Sequence, residues 1–213
     1  MSASVAADLV AAYRVLDADG LITGSAGNVS ARTPSGMLIT PSSVPPSSVE
    51  PENLCEIDLA TGLVSDGTPS SEWLLHLGVY RTGGAGAVVH THSLAATAVS
   101  LIADELPAVH YYIDRLGGPV PVVPYATYGS EELADSVGAA LRGRRAVIMA
   151  NHGAVTTGAT LAAAVERARL LEWLAELYLK ACAVATPRVL TSDDLDAVRE
   201  QPARLAERGY RLG

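Results

Sequence analysis

The chain has no phenylalanine, two cysteines and a single lysine among 213 residues. Each shortage removes something. Without Phe, the interior has to be filled by Leu, Val, Ala, Trp and Tyr. Cys55 and Cys182 form no CxxC pair, so they read as reduced core thiols in a cytoplasmic protein rather than as ligands. Lys180, the one lysine, falls inside a long helical stretch, which disfavours Schiff-base chemistry. No run approaches the roughly 18 apolar residues of a membrane span. Asp8 interrupts the early apolar run and no basic segment precedes it, so no secretory signal is expected. Neither a Walker-type loop nor GxGxxG occurs, and nucleotide binding gains no support. A net charge of −8 argues against nucleic acid and anionic membranes as partners. It leaves a small anionic substrate open, because one site can be locally positive on an acidic protein.

What is present suits a packed core. Hydrophobic residues make up 49% and charged ones 18%, too apolar a mixture for a disordered chain. The length predicts one domain over 1–213. The spacing of Val5, Leu9, Tyr13 and Leu16 predicts a helix over 4–19, stopped at Gly20. A glycine-rich turn at 24–30 leads into a strand, and another strand is expected at 37–40. Four prolines between 41 and 51 exclude a continuous helix there. Residues 54–59 and 63–65 read as a short hairpin around Ala60-Thr61-Gly62. Ser70 or Ser71 can cap a helix reaching Tyr80, with Glu72 in its first turn. A glycine turn at 83–86 precedes an apolar strand, a helix is expected near 94–103, and 120–123 is extended. Ser130 caps a helix to about Leu141, 146–150 is a strand, and the longest helix runs from after Thr160 to about Ala183. Helices and strands interspersed without strict βαβ repetition predict a three-layer α/β/α fold with a central mixed sheet.

The chemistry concentrates in four side chains. His90 and His92 sit two apart in a predicted strand, so both imidazoles project from one face. His152 follows the end of another strand, where α/β proteins place sites. Three histidines with an open position suit catalytic zinc, and the carboxylate of Glu72 can fill the fourth place. His76, four residues after Glu72, and His110 read as packed histidines rather than ligands. Gly27-Asn28, Ser42-Ser43 and Ser70-Ser71 offer amide, hydroxyl or backbone N–H donors suited to an oxyanion.

These segments resemble, in order and spacing over nearly the whole chain, the class II aldolase/adducin family. They are Gly24-Ser25-Ala26-Gly27-Asn28-Val29-Ser30, Leu38-Ile39-Thr40-Pro41, Ser70-Ser71-Glu72-Trp73, Ala87-Val88-Val89-His90-Thr91-His92, Pro107-Ala108-Val109-His110-Tyr111, Pro124-Tyr125-Ala126-Thr127-Tyr128-Gly129 and His152-Gly153. The resemblance implies a largely antiparallel sheet and one Zn²⁺ per chain on His90, His92 and His152. Glu72 would be both the acid/base residue and a resting ligand. Gly27, Asn28, Ser42, Ser43, Ser70 and Ser71 would bind the phosphate of a ketose 1-phosphate such as fuculose 1-phosphate. That sugar would be cleaved to dihydroxyacetone phosphate and a small aldehyde. Tyr111 would act at the site of an adjoining subunit of a homotetramer, and Tyr210 resembles a mobile C-terminal tyrosine of the family. Two departures stand out. Ser42-Ser43 replaces a common Thr-Gly pair, and Asn151 stands where close relatives often carry a second His. A ribulose-phosphate 4-epimerase on the same scaffold, a non-catalytic adducin-like domain and a zinc hydrolase are the competing readings.

Overall fold

A computed structural model describes residues 3–209; Tyr210 lies outside the described residues. Helix α1 (Ala3–Ala18) is followed by strands β1 (Asn28–Arg32), β2 (Gly36–Ile39) and β3 (Cys55–Asp58). Then come α2 (Trp73–Thr82), β4 (Ala87–Thr91), α3 (Leu94–Val99), β5 (Glu105–Leu106) and β6 (Val120–Val123). The chain continues through α4 (Glu131–Ala140), β7 (Ala146–Met149), β8 (Gly153–Gly158), α5 (Leu161–Cys182) and α6 (Ser192–Glu207). The eight strands form one sheet in the order β3-β2-β1-β4-β8-β7-β6-β5. Only β6 and β7 run parallel; every other neighbouring pair is antiparallel. The expected mixed, largely antiparallel α/β/α sheet is what forms.

Strand alternation splits the core in two. On β4, Val88 packs with α2 and α4, whereas Ala87 and Val89 pack with α1 and α5. A third apolar cluster joins α3, α5 and Leu195 of α6 to β6 and β7. Leu, Val and Ala dominate all three clusters, as an interior without Phe requires. Thr160 caps α5 by accepting the Ala163 N–H, and Ala164, Val165, Ala168, Leu171 and Ala175 form its buried stripe.

Local expectations fail in instructive places. Residues 63–65 are too short a partner to count as a strand, but the expected hairpin forms: Val64 bridges Ile57 antiparallel, the Asp58 and Ser65 N–H groups donate to the Leu63 and Glu56 carbonyls, and Asp58 makes the turn by accepting from the Thr61 N–H and hydroxyl. Neither Ser70 nor Ser71 caps α2. Glu72 itself is the N-cap residue, and Ser70 Oγ accepts its N–H at 3.3 Å. Helix α3 ends at Val99 because the Ser100 side chain turns back onto the Thr97 carbonyl. Strand β8 escapes a reading by apolar runs, since Gly153-Ala154-Val155-Thr156-Thr157-Gly158 is small and glycine-bounded. Helix α6 escapes it because Pro202 lies inside and only Leu195 is buried. Its capping box, Thr191 with Asp194, was the available signal.

Candidate metal and substrate site

Three elements converge where β4 ends and β8 begins. In the β1–β4 register Asn28 pairs with His90, and in the β4–β8 register His90 pairs with Val155. His92 lies just past β4, its backbone N–H donating to the Leu21 carbonyl. His152 sits in the tight turn from β7 into β8, beside Asn151, whose φ of 57° is left-handed. Ser100 Oγ accepts the Asn151 N–H at 3.0 Å and holds that turn. Gly153 is needed here, because a Cβ would run into the Thr91 carbonyl oxygen across the strands.

The three imidazoles meet edge to face, with ring centroids 4.7 to 5.0 Å apart. Their candidate ligand nitrogens lie within 4.8 Å of one another. His90 is fully buried, and its Nδ1 lies 3.0 Å from the Ala154 carbonyl. A carbonyl only accepts, so the proton is on Nδ1 and Nε2 carries a lone pair. That lone pair faces His92 Nε2 at 3.0 Å and Glu72 Oε2 at 3.0 Å. Burial pushes His92 down to about 3, with the neighbouring His90 and His152 rings adding to the effect, so it stays neutral as a ligand must.

Glu72 reaches the histidines from the start of α2 and is buried. Oε1 accepts the Gly129 N–H at 3.0 Å. Oε2 makes no hydrogen bond, although it lies 3.0 Å from His90 Nε2 and 3.3 Å from His152 Nε2. Lone pairs of a carboxylate and an imidazole facing one another in a buried place repel. A cation among these atoms resolves the conflict, and a three-His, one-carboxylate set is a common zinc donor set. The residues present therefore fit a divalent metal.

A cavity of about 350 Å³ opens beside the histidines. Gly27, Asn28, Ser42, Ser43, Ser70 and Ser71 all line it, together with Glu72, His90, His92 and His152. Gly27 has φ 114°, and a Cβ there would sit 3.0 Å from the His90 carbonyl oxygen. Ser43 keeps a left-handed φ of 59° although it is not glycine, and its hydroxyl lies 3.4 Å from that of Ser42. Tyr125, Tyr128 and Asn151 also line the cavity, and the two tyrosines are exposed at its rim. Sequence reasoning gave them no role; their signal was the Pro124–Gly129 segment, which includes the glycine that binds Glu72.

Tyr111 does not line this cavity. It is 46% exposed in a short 3₁₀ turn, stacked on His110. His110 caps that turn by accepting the Tyr112 N–H through Nδ1. His76 is packed, as expected: it is fully buried and bonded to Ser30 and Asn28.

The model of the class II aldolase and adducin N-terminal domain matches residues 7–179. The chain belongs to the class II aldolase and adducin family. The L-fuculose phosphate aldolase of Escherichia coli K12 is 41% identical over 182 residues, covering 84% of each chain. The 5-methylthioribulose-1-phosphate/5-deoxyribulose-1-phosphate aldolase of Rhodospirillum rubrum is 37% identical over 195 residues, 91% of this chain and 88% of that one. A solved L-fuculose 1-phosphate aldolase superposes with a TM-score of 0.91 at 33% identity, covering 95% of this chain and 98% of the other. This family member is an enzyme of the lyase class. No helix among the described residues is long and apolar enough to cross a membrane.

Proposed function

We propose that the protein catalyses reversible retro-aldol cleavage of a ketose 1-phosphate, L-fuculose 1-phosphate or a close relative. The products are dihydroxyacetone phosphate and a small aldehyde such as lactaldehyde. The observation that carries this reading is the buried Glu72 Oε2, without a hydrogen bond among three imidazoles and beside a cavity lined with anion donors. His90, His92 and His152 would hold one Zn²⁺, with Glu72 as a resting ligand. When bound, the ion supplies Lewis-acid stabilisation of negative charge on substrate oxygens.

The side chains do the rest. Glu72 moves a proton to and from the carbon next to the carbonyl of the three-carbon fragment. Gly129 anchors its Oε1, which leaves Oε2 as the atom that carries the proton. Gly27, Asn28, Ser42, Ser43, Ser70 and Ser71 bind the phosphate and fix the orientation of the sugar. Tyr111 serves an adjoining subunit's site by exchanging a proton at the aldehyde oxygen. Its exposure, away from its own chain's cavity, supports that role. The homotetramer this requires is supported by Leu94, Leu101 and Ile102, which are large, apolar and exposed just beyond the histidine strand.

A second substrate has specific support. The 5-deoxyribulose-type relative aligns over a larger share of this chain than the E. coli enzyme does. Metal content by mass spectrometry, paired with a coupled assay for dihydroxyacetone phosphate from both sugars, tests the proposal. About one zinc per chain with chelator-sensitive release is expected. Zinc without release from either sugar would redirect the reading to 4-epimerisation, and neither metal nor release would favour the non-catalytic adducin-like domain.

A further inference from the structure

The N-cap residue Glu72 and, within α2, His76 and Tyr80 stand at successive i, i+4 positions, and all three are buried. Glu72 meets the histidines, but His76 and Tyr80 meet β1. His76 Nε2 lies 2.5 Å from Asn28 Oδ1, His76 Nδ1 lies 2.6 Å from Ser30 Oγ, and Ser30 Oγ lies 2.9 Å from Tyr80 Oη. Asn28 and Ser30 are two apart on β1, so they share the face that α2 covers. Ser30 and His76 have no exposed surface, and neither lines the cavity.

Donor accounting gives the chain one direction. Asn28 Oδ1 can only accept, so the chain runs from Tyr80 toward Asn28 and the Tyr80 hydroxyl donates to Ser30 Oγ. The Ser30 proton then goes to His76 Nδ1, and the His76 Nε2–H goes to Asn28 Oδ1. A neutral imidazole has one N–H and one lone pair, and both are used. Full burial keeps the ring neutral, its pKa pushed down to about 3 chiefly by desolvation. With Oδ1 committed inward, Asn28 can turn only its two Nδ2–H donors to the cavity. An unrestrained asparagine amide could as well present its oxygen, which would repel an anion.

We propose that Ser30, His76 and Tyr80 are positioning residues whose buried hydrogen-bond chain orients the Asn28 amide, so that its NH₂ faces the phosphate of the substrate. This rests on the proposed phosphate role of Asn28. It extends that role to three residues that never touch substrate.

Titration of the zinc-loaded enzyme with dihydroxyacetone phosphate, by calorimetry, tests the inference. Ser30→Ala removes one buried oxygen with little change in volume, and thermal unfolding reports whether it folds. Ser30→Ala is expected to weaken binding about tenfold, the equivalent of one hydrogen bond. Tyr80→Phe should weaken it less, because Ser30 can still donate. The deciding variant is Ser30→Ala with Asn28→Ala. If Ser30 acts through Asn28, the double variant binds no more weakly than Asn28→Ala alone. Additive losses, or wild-type affinity in Ser30→Ala when Asn28→Ala is impaired, would overturn the positioning role and leave the phosphate site standing. Wild-type affinity in Asn28→Ala would overturn both. Nitrogen-15 spectra of the His76 ring decide the case without any sugar phosphate. They should show the Nε2–H tautomer, and an Nδ1–H tautomer would overturn the chain even if the enzyme binds no dihydroxyacetone phosphate.

Discussion

At the scale of single residues, the two oxygens of Glu72 have different surroundings, and under the proposed roles that difference would separate metal binding from turnover. Glu72→Gln keeps the shape and the Gly129 contact but cannot take up a proton. It should retain metal and lose about 10²- to 10⁴-fold in kcat; near-normal turnover in a metal-replete Gln variant would remove Glu72 from the acid/base role. His92→Ala deletes one of three nitrogens and should leave the purified protein without stoichiometric zinc by mass spectrometry. The histidines were legible in the sequence because strand alternation puts His90 and His92 on one face. His152 was legible because it follows an apolar strand. Tyr125 and Tyr128 were not, since they belong to a loop without periodicity and reach the cavity through the tertiary path of the chain. Ser43 shows what composition hides: its left-handed φ of 59° persists without glycine. Such a conformation costs an ordinary residue about 1–2 kcal/mol.

At the scale of elements, α5 supports a site it never touches. The Glu172 carboxylate accepts the Ala95 and Ala96 N–H groups at 2.7 and 2.9 Å, satisfying the first turn of α3 directly after His92. Glu172→Ala should destabilise the fold by about 2 kcal/mol in urea unfolding. It should also loosen zinc measurably in a chelator competition, whereas unchanged values for both would show that α3 needs no such cap. Gly153→Ala drives a methyl into the Thr91 carbonyl and should separate β8 from β4 where the ligands meet, at a cost of about 1–3 kcal/mol. Long amphipathic elements such as α1 and α5 were readable because burial dictates their pattern. Strand β8 and helix α6 were not, because one is built from small residues and the other buries little, so backbone pairing and capping decide them instead.

At the scale of the whole molecule, the sheet order joins distant parts of the chain. Strand β4 lies between β1 and β8, not beside β3 or β5. Chelation should therefore lower global stability rather than loosen a local loop. Metal at 100 to 1,000 times its Kd adds about 2.7–4.1 kcal/mol. At about 2–4 °C per kcal/mol for a chain of this size, chelation should lower Tm by about 5–16 °C. An unchanged Tm in a protein shown to bind zinc would mean that the metal is held equally well by the unfolded chain.

That adjacency also fixes when the site can come into being. His90 leans on Ala154, 64 residues further along, for the hydrogen bond that settles its tautomer. A nascent chain that has left the ribosome only through β7 carries two imidazoles on an open strand edge, with neither the third ligand nor the Ala154 carbonyl. On the proposed metal role, capture would belong to the closing stage of synthesis, after β8 has inserted between β4 and β7. A polypeptide truncated before residue 152 would expose an aggregation-prone sheet edge and lack the third proposed ligand.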